Sequence, residues 1–275
     1  MVKRKVLMWV SMSSQFERII YEKKEGVAWI TLNNPERYNA LDYKMRKELK
    51  TALEDAAGDK TIAAVVIKGS GKAFCAGGDI QAFAEMKPMD VLELYKEVGT
   101  ALVLGKIIRD MPKPVIAAVN GYCLGAGFEL AQSCDIIFAS EEAIFGQPEI
   151  NVGLIPGGGA TQRLPRFIGE KKAKELIFTG ERISAKEMAE MGLINKVVPA
   201  DQLINTVNEF IEKIKSKSPV VIAAAKEAIN AAMEMSLSEG FKYEAQIFAQ
   251  LFSTEDQKEG AKAFLEKRKP VWKGK

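Results

Sequence analysis

Between positions 63 and 139 the chain switches repeatedly between short, wholly apolar runs and longer stretches with apolar residues at helical spacing, and this alternation narrows the fold more than any other feature. Ala63-Ala64-Val65-Val66-Ile67 reads as a strand buried on both faces, and residues 115–119 read the same way. A helix over about residues 90–109 separates them, and a short helix from Ala126 leads to a further strand at 135–139. Strand-helix-strand order of this kind favours stacked βαβ units with parallel strands, an α/β class. Upstream, residues 16–21 and 27–32 read as two strands around the charged turn Lys23-Lys24-Glu25-Gly26, the second ended by Asn33-Asn34-Pro35. Asp42 is placed to cap a helix that carries Met45, Leu49 and Leu53 at helical spacing.

After Ser184 strands cease except over residues 194–198. Helices are expected at 200–214, 219–235, 239–252 and 254–267. The organisation this predicts is an N-terminal extension over 1–14, an α/β core over 15–199 and a helical C-terminal region over 200–275. The extension pairs Lys3, Arg4 and Lys5 with an apolar run at 6–10 that is too short for a secretion signal or a membrane span. With Met8 and Met12 as other possible starts, it reads as a disordered or misassigned N-terminus.

The 275 residues include no histidine, which removes the commonest general base, the usual zinc ligand and every histidine-assisted nucleophile. Carboxylates must carry any proton chemistry. Cys75, Cys123 and Cys134 show no Cys-x-x-Cys spacing, so neither a metal cage nor a disulfide framework is indicated, and reduced thiols in a cytoplasmic protein are expected. A net charge of +3 and a pI near 8.6, without a dense basic stripe, argue against nucleic acid as the main partner.

Two glutamates, Glu129 in Gly125-Ala126-Gly127-Phe128-Glu129 and Glu149 in Gly146-Gln147-Pro148-Glu149, sit in small or apolar surroundings. Carboxyl groups sharing one apolar site tend to split their pKa values, which leaves one able to take a proton and the other able to give one. Gly121, Gly125 and Gly127 follow a buried strand and precede a helix, but Gly-x-x-x-Gly-x-Gly is not the dinucleotide fingerprint. What the segment offers is a strand-to-helix turn with exposed N–H groups. Phe74-Cys75-Ala76-Gly77-Gly78-Asp79 is a second such turn, following the strand at 65–68, and two turns on adjacent parallel strands can each give one N–H to one carbonyl oxygen. Taken singly, a first-turn glutamate usually serves the helix dipole, a glutamate after proline is usually a loop carboxylate, and glycine pairs are usually tight turns.

Taken together, the motifs resemble the enoyl-CoA hydratase (crotonase) family over about residues 15–275. The resemblance rests on Asn39-Ala40-Leu41, Ala73-Phe74-Cys75-Ala76-Gly77-Gly78-Asp79-Ile80, Lys113-Pro114-Val115-Ile116-Ala117-Ala118-Val119-Asn120-Gly121, Gly125-Ala126-Gly127-Phe128-Glu129-Leu130, Phe145-Gly146-Gln147-Pro148-Glu149 and Thr161-Gln162-Arg163-Leu164. Phe252-Ser253-Thr254-Glu255-Asp256 and Ala263-Phe264-Leu265-Glu266-Lys267-Arg268 extend it to the C-terminal region.

The resemblance implies a crotonase-like core of stacked ββα units with a helical trimerisation region, the trimers commonly pairing into hexamers. It implies an acyl-CoA thioester as substrate, coenzyme A being part of that substrate, with no separate cofactor and no metal. Its carbonyl oxygen would lie between the N–H groups of Gly78 and Ala126, where the family often has glycine in place of Ala126. Glu129 would activate water for the β-carbon and Glu149 would protonate the α-carbon. Arg37, Ala40, Ala76, Gly78, Asp79, Ile80 and Gln81 would line the CoA site, with Phe264 and Lys267 of a neighbouring subunit closing it. Retention of both glutamates favours water addition or loss over the one-carboxylate Δ3,Δ2-enoyl-CoA isomerase, and it also argues against a non-catalytic thioester- or RNA-binding member of the same fold.

Overall fold

The computed structural model describes residues 16–97 and 101–275, so the extension expected over 1–14 lies outside the described residues. Strands β1 (Ile19–Lys24) and β2 (Val27–Leu32) pair antiparallel around Glu25-Gly26, two residues with φ of 52° and 77°. Positive φ at both positions matches the twist a two-residue hairpin needs. Helix α1 (Tyr43–Gly58) starts where Asp42 accepts from the Met45 N–H at 2.7 Å, and it buries Met45, Leu49 and Leu53. Strand β3 (Ala64–Gly69) then lies parallel to β2.

The chain continues through β4 (Ala73–Cys75), α2 (Ile80–Glu85), α3 (Pro88–Glu97), α4 (Ala101–Asp110), β5 (Val115–Val119), β6 (Tyr122–Leu124), α5 (Ala126–Ser133), β7 (Ile136–Ser140) and β8 (Ile144–Gly146). The helix expected over 90–109 is thus seen as α3 and α4, on either side of residues 98–100, which are not among the described ones. After a 3-10 segment at Pro148–Val152 come α6 (Ala160–Ile168), α7 (Glu170–Thr179), β9 (Arg182–Ser184), α8 (Ala185–Glu190) and β10 (Lys196–Val198). The C-terminal part holds α9 (Leu203–Lys215), α10 (Pro219–Ala232), α11 (Leu237–Leu251) and α12 (Glu255–Leu265), each within a few residues of the helices expected there.

The strands form two sheets. The larger has the order β1-β2-β3-β5-β7-β10, parallel from β2 onward, and the smaller has the order β4-β6-β8-β9. The smaller sheet corrects the sequence reading: neither glycine-rich turn leaves a strand of the large sheet, because β4 and β6 intervene. Strands of three residues carry no readable period, and pairing with one another across the fold makes them strands.

Both faces of the large sheet are covered, as its unbroken apolar strands require. One face packs with α1, α4 and α5, and the other holds Val66, Ile116 and Ala118 under Leu203, Val207 and Ile211 of α9. Phe128 of α5 and Phe145 of β8 meet edge to face at 5.2 Å, both fully buried. Cutting either to alanine would cost about 3–5 kcal/mol, so the helix that carries Glu129 is tightly bound to the strand that leads to Glu149. Lys226 ties α10 to the core, donating to Asp135 Oδ2 at 2.7 Å and to the Ile108 and Lys113 carbonyls.

Candidate active site

Neighbouring strands β4 and β6 run parallel, and each ends in one of the two glycine-rich turns. Gly125, at φ 50° and ψ −127°, adopts a backbone closed to side-chain-bearing residues, and it turns the chain directly from β6 into α5. Gly127 then lets α5 sit on the end of β4, since a Cβ there would stand 2.2 Å from the Cys75 carbonyl oxygen. The two turns consequently lie against each other: a Cβ on Gly77 would come within 4.0 Å of the Ala126 nitrogen. Gly78 and Ala126 are partly exposed amid buried neighbours. Among the described residues neither of their N–H groups donates a hydrogen bond, and no side chain caps α5. Both amides are available to a ligand oxygen.

The first turn is braced from the β2–α1 connection. Leu41 N–H donates to Gly77 O at 2.8 Å and Ala76 N–H to Tyr38 O at 2.9 Å. Buried Asn39 donates to Ala73 O at 2.8 Å and Ser70 O at 2.9 Å.

Glu129 lies one turn into α5 and is 2% exposed. Its Oε1 accepts from Gly158 N–H at 2.6 Å and Ala160 N–H at 3.0 Å, so it rests at the N-terminus of α6, where the helix dipole favours negative charge. Burial raises its pKa, while the Ala160 and Gly158 N–H groups and the guanidinium groups of Arg163 and Arg46 act in the opposite direction. Glu149 lies in the first turn of the 3-10 segment after β8, with its Oε1 3.1 Å from where a Cβ on Gly125 would be. Any larger residue at 125 would push against this carboxyl group.

Burial pushes the Glu149 carboxyl up to about 7, and the like charge of Glu129 adds to the effect. With its amide oriented to suit its neighbours, buried Gln147 donates to both Glu149 oxygens at 3.1 Å and accepts from Gln132 Nε2 at 3.0 Å. The two carboxyl groups therefore share a site but not an environment. Glu129 has backbone donors and cations around it, and Glu149 has one amide and a like-charged neighbour. With Glu149 pushed up to about 7, such a pair can share one proton near neutral pH.

Of the other residues singled out in the sequence, Arg37, Ala40, Ala76, Asp79, Ile80 and Gln81 gather around the first turn. Arg37 does not project as an open cation: it forms a bidentate pair with Asp79 at 2.8 and 3.3 Å and donates to Gln81 Oε1 at 3.1 Å. Ile80 is half exposed. Phe264, near the end of α12, and Lys267, just after it, are exposed, and among the described residues no hydrogen bond or ion pair joins them to this turn. Sequence reasoning missed Gln132, Gln147 and the N–H donors of Gly158 and Ala160. The run Gly157-Gly158-Gly159 ahead of a helix was the one signal that pointed to the last two.

Residues 22–275 match the family model described as enoyl-CoA hydratase/isomerase. A protein of Dictyostelium discoideum named probable mitochondrial enoyl-CoA hydratase is 46% identical over 95% of this chain and 92% of its own length. The short-chain-enoyl-CoA hydratase of Clostridium acetobutylicum is 43% identical over 93% of this chain and 97% of its own. An enoyl-CoA hydratase crystal structure from Bacillus anthracis superposes with a TM-score of 0.89 at 39% identity, covering 94% of this chain and all of that one. With buried Glu129 and half-buried Glu149 beside paired glycine-rich turns, and with this likeness along nearly its whole length, the chain belongs to the enoyl-CoA hydratase/isomerase family.

Proposed function

We propose that this protein is an enoyl-CoA hydratase that adds water reversibly to 2-trans-enoyl-CoA to give 3-hydroxyacyl-CoA. The observation that carries the reading is the unequal setting of two carboxyl groups in one site, Glu129 among donors and cations and Glu149 held protonated to about neutral pH. The thioester carbonyl oxygen accepts from the N–H groups of Gly78 and Ala126, which stabilise the enolate-like charge; losing one such donor costs on the order of 3 kcal/mol. Glu129 takes a proton from water as its oxygen bonds to the β-carbon. Glu149 gives its proton to the α-carbon, and the pair ends with the proton on Glu129. Dehydration retraces the same steps. No metal or redox cofactor enters, and coenzyme A is part of the substrate.

The proposed assembly is a trimer or a pair of trimers. Its support is the set of apolar side chains left exposed on the C-terminal helices, among them Ile229, Leu237, Phe241 and Phe248. The proposed location is the cytoplasm, based on the free thiols, although some relatives are named mitochondrial. The purified protein, given short 2-trans-enoyl-CoA with chelator and no added cofactor, is expected to bleach the ultraviolet absorbance of the conjugated thioester. Inertness across a panel of enoyl-CoA chain lengths, or double-bond migration in place of hydration, would overturn the reading.

A further inference from the structure

We propose that Arg163 is a positioning residue for the glutamate pair: it braces the Gly158–Ala160 turn against the Glu129 carboxyl group and supplies the partly buried positive charge that divides the work between Glu129 and Glu149. The inference rests on the hydratase reading and deepens it.

Arg163 lies in the first turn of α6, and its side chain reaches back so that Nη1 donates to Gly158 O at 3.0 Å. Gly158 in turn donates its own N–H to Glu129 Oε1 at 2.6 Å. The guanidinium occupies a slot made by two missing side chains. A Cβ on Gly159 would stand 2.5 Å from Nη1, and one on Gly105 of α4 would stand 2.6 Å from Nη2. The Gly105 position also borders Ser133 Oγ, which donates to the Glu129 carbonyl at 2.7 Å. Arg163 thus contacts the turn that binds the Glu129 carboxyl group, and at Gly105 it faces the same position as Ser133, at the end of the helix that carries Glu129.

Among the described residues no carboxylate forms a direct ion pair with Arg163, although a largely desolvated cation normally requires one. The ionisable groups facing it are Glu129 and Cys134 from α5 and its end, and Arg109 from α4. Arg109 is already paired with Glu234 and bonded to the Asn230 carbonyl, and burial keeps the Cys134 thiol neutral. Glu129 is therefore the acid whose charge Arg163 balances. The charged groups around Glu129 are Arg163 from α6, Arg46 from α1 and Glu149 from the 3-10 segment. Among the described residues no cation acts on Glu149 in the same way. Removing the Arg163 charge destabilises the Glu129 carboxylate, so Glu129 accepts its proton at higher pH and loses its distinction from Glu149.

The test compares R163Q, R163K and G105A in the full chain by the pH dependence of kcat/KM. For R163Q the acidic limb is expected to rise by about one pH unit and kcat to fall about tenfold, with KM nearly unchanged. R163K, which keeps a charge, is expected to recover part of both effects. G105A pushes a methyl group onto the flexible end of Arg163 and, less closely, onto the Ser133 hydroxyl, with both glutamate side chains retained, and it is expected to move the same limb in the same direction by less. A folded R163Q with an unmoved acidic limb overturns the inference. If R163Q does not fold, an unmoved limb in G105A does so.

Infrared titration of the Glu129 carboxyl group, identified by its loss in E129Q, separates this inference from the hydratase reading. If the protein does not hydrate enoyl-CoA but Glu129 titrates higher in R163Q than in the parent, the hydratase reading fails and the role of Arg163 stands. If Glu129 titrates alike in both, the role of Arg163 fails.

Discussion

Replacing Gly127 by alanine tests whether the close seat of α5 on β4 sets the geometry of the site. The added Cβ would stand 2.2 Å from the Cys75 carbonyl oxygen, 2.6 Å from its Cβ and 2.7 Å from its Sγ. Ordinary contact between such atoms begins near 3.4 Å, so the helix and strand must part by about 1 Å. Overpacking on this scale costs about 1–3 kcal/mol, and the better helix propensity of alanine returns about 1 kcal/mol of it. Catalysis should suffer more than folding. The start of α5 carries Ala126 and Glu129, while the end of β4 leads to Gly78, and a displacement of about 1 Å between reacting groups costs about 100-fold in rate. G127A is therefore expected to fold, to melt somewhat lower than the parent, and to lose about two orders of magnitude in kcat in the ultraviolet hydration assay. C75A added to it should recover little, because the carbonyl oxygen, the nearest atom, remains. A folded G127A with unchanged kcat would refute the claim that this contact positions the site.

Two further outcomes follow from the glutamate pair. Because Glu149 is pushed up to about 7 and must be protonated for hydration, kcat/KM should fall as pH rises through about 7. Dehydration should show the same profile, since the overall equilibrium releases no proton, and a rate constant flat from about pH 6 to about pH 9 would contradict the assignment. Exchange of α-protons in a saturated acyl-CoA, followed by deuterium incorporation, needs only the group at the α-carbon, so E149Q should abolish it and E129Q should keep part of it. Equal loss in both variants would mean that the carboxyl groups act as one coupled unit.

What could be read in the sequence was what short-range chemistry decides. Asp42 announced α1 because a cap needs only the N–H three residues on, and Val115 to Val119 announced β5 because a strand covered on both faces must be apolar throughout. The glutamate pair was legible by the cost of a carboxyl group in apolar surroundings. The small sheet was not, because Ala73, Tyr122 and Ile144 become strand residues only through partners 20 or more residues away. The pairing of Arg37 with Asp79 was not legible either, because nothing local reveals a partner 42 positions on. The donors to Glu129 come from 29 and 31 residues downstream, and the Gln132–Gln147 contact that orients the amide on Glu149 likewise depends on the folded chain.

The most direct test of the central claim, that these two carboxyl groups carry the hydration, is the kcat of E129Q and of E149Q on a short 2-trans-enoyl-CoA, measured alongside the Kd of the thioester. Each substitution keeps the shape of the side chain and removes its acid-base function. The account predicts a fall in kcat of at least about 100-fold in each variant, with Kd largely unchanged. A variant that hydrates at near the parent rate with glutamine at either position would contradict it, and would return that residue to an ordinary cap or loop carboxylate.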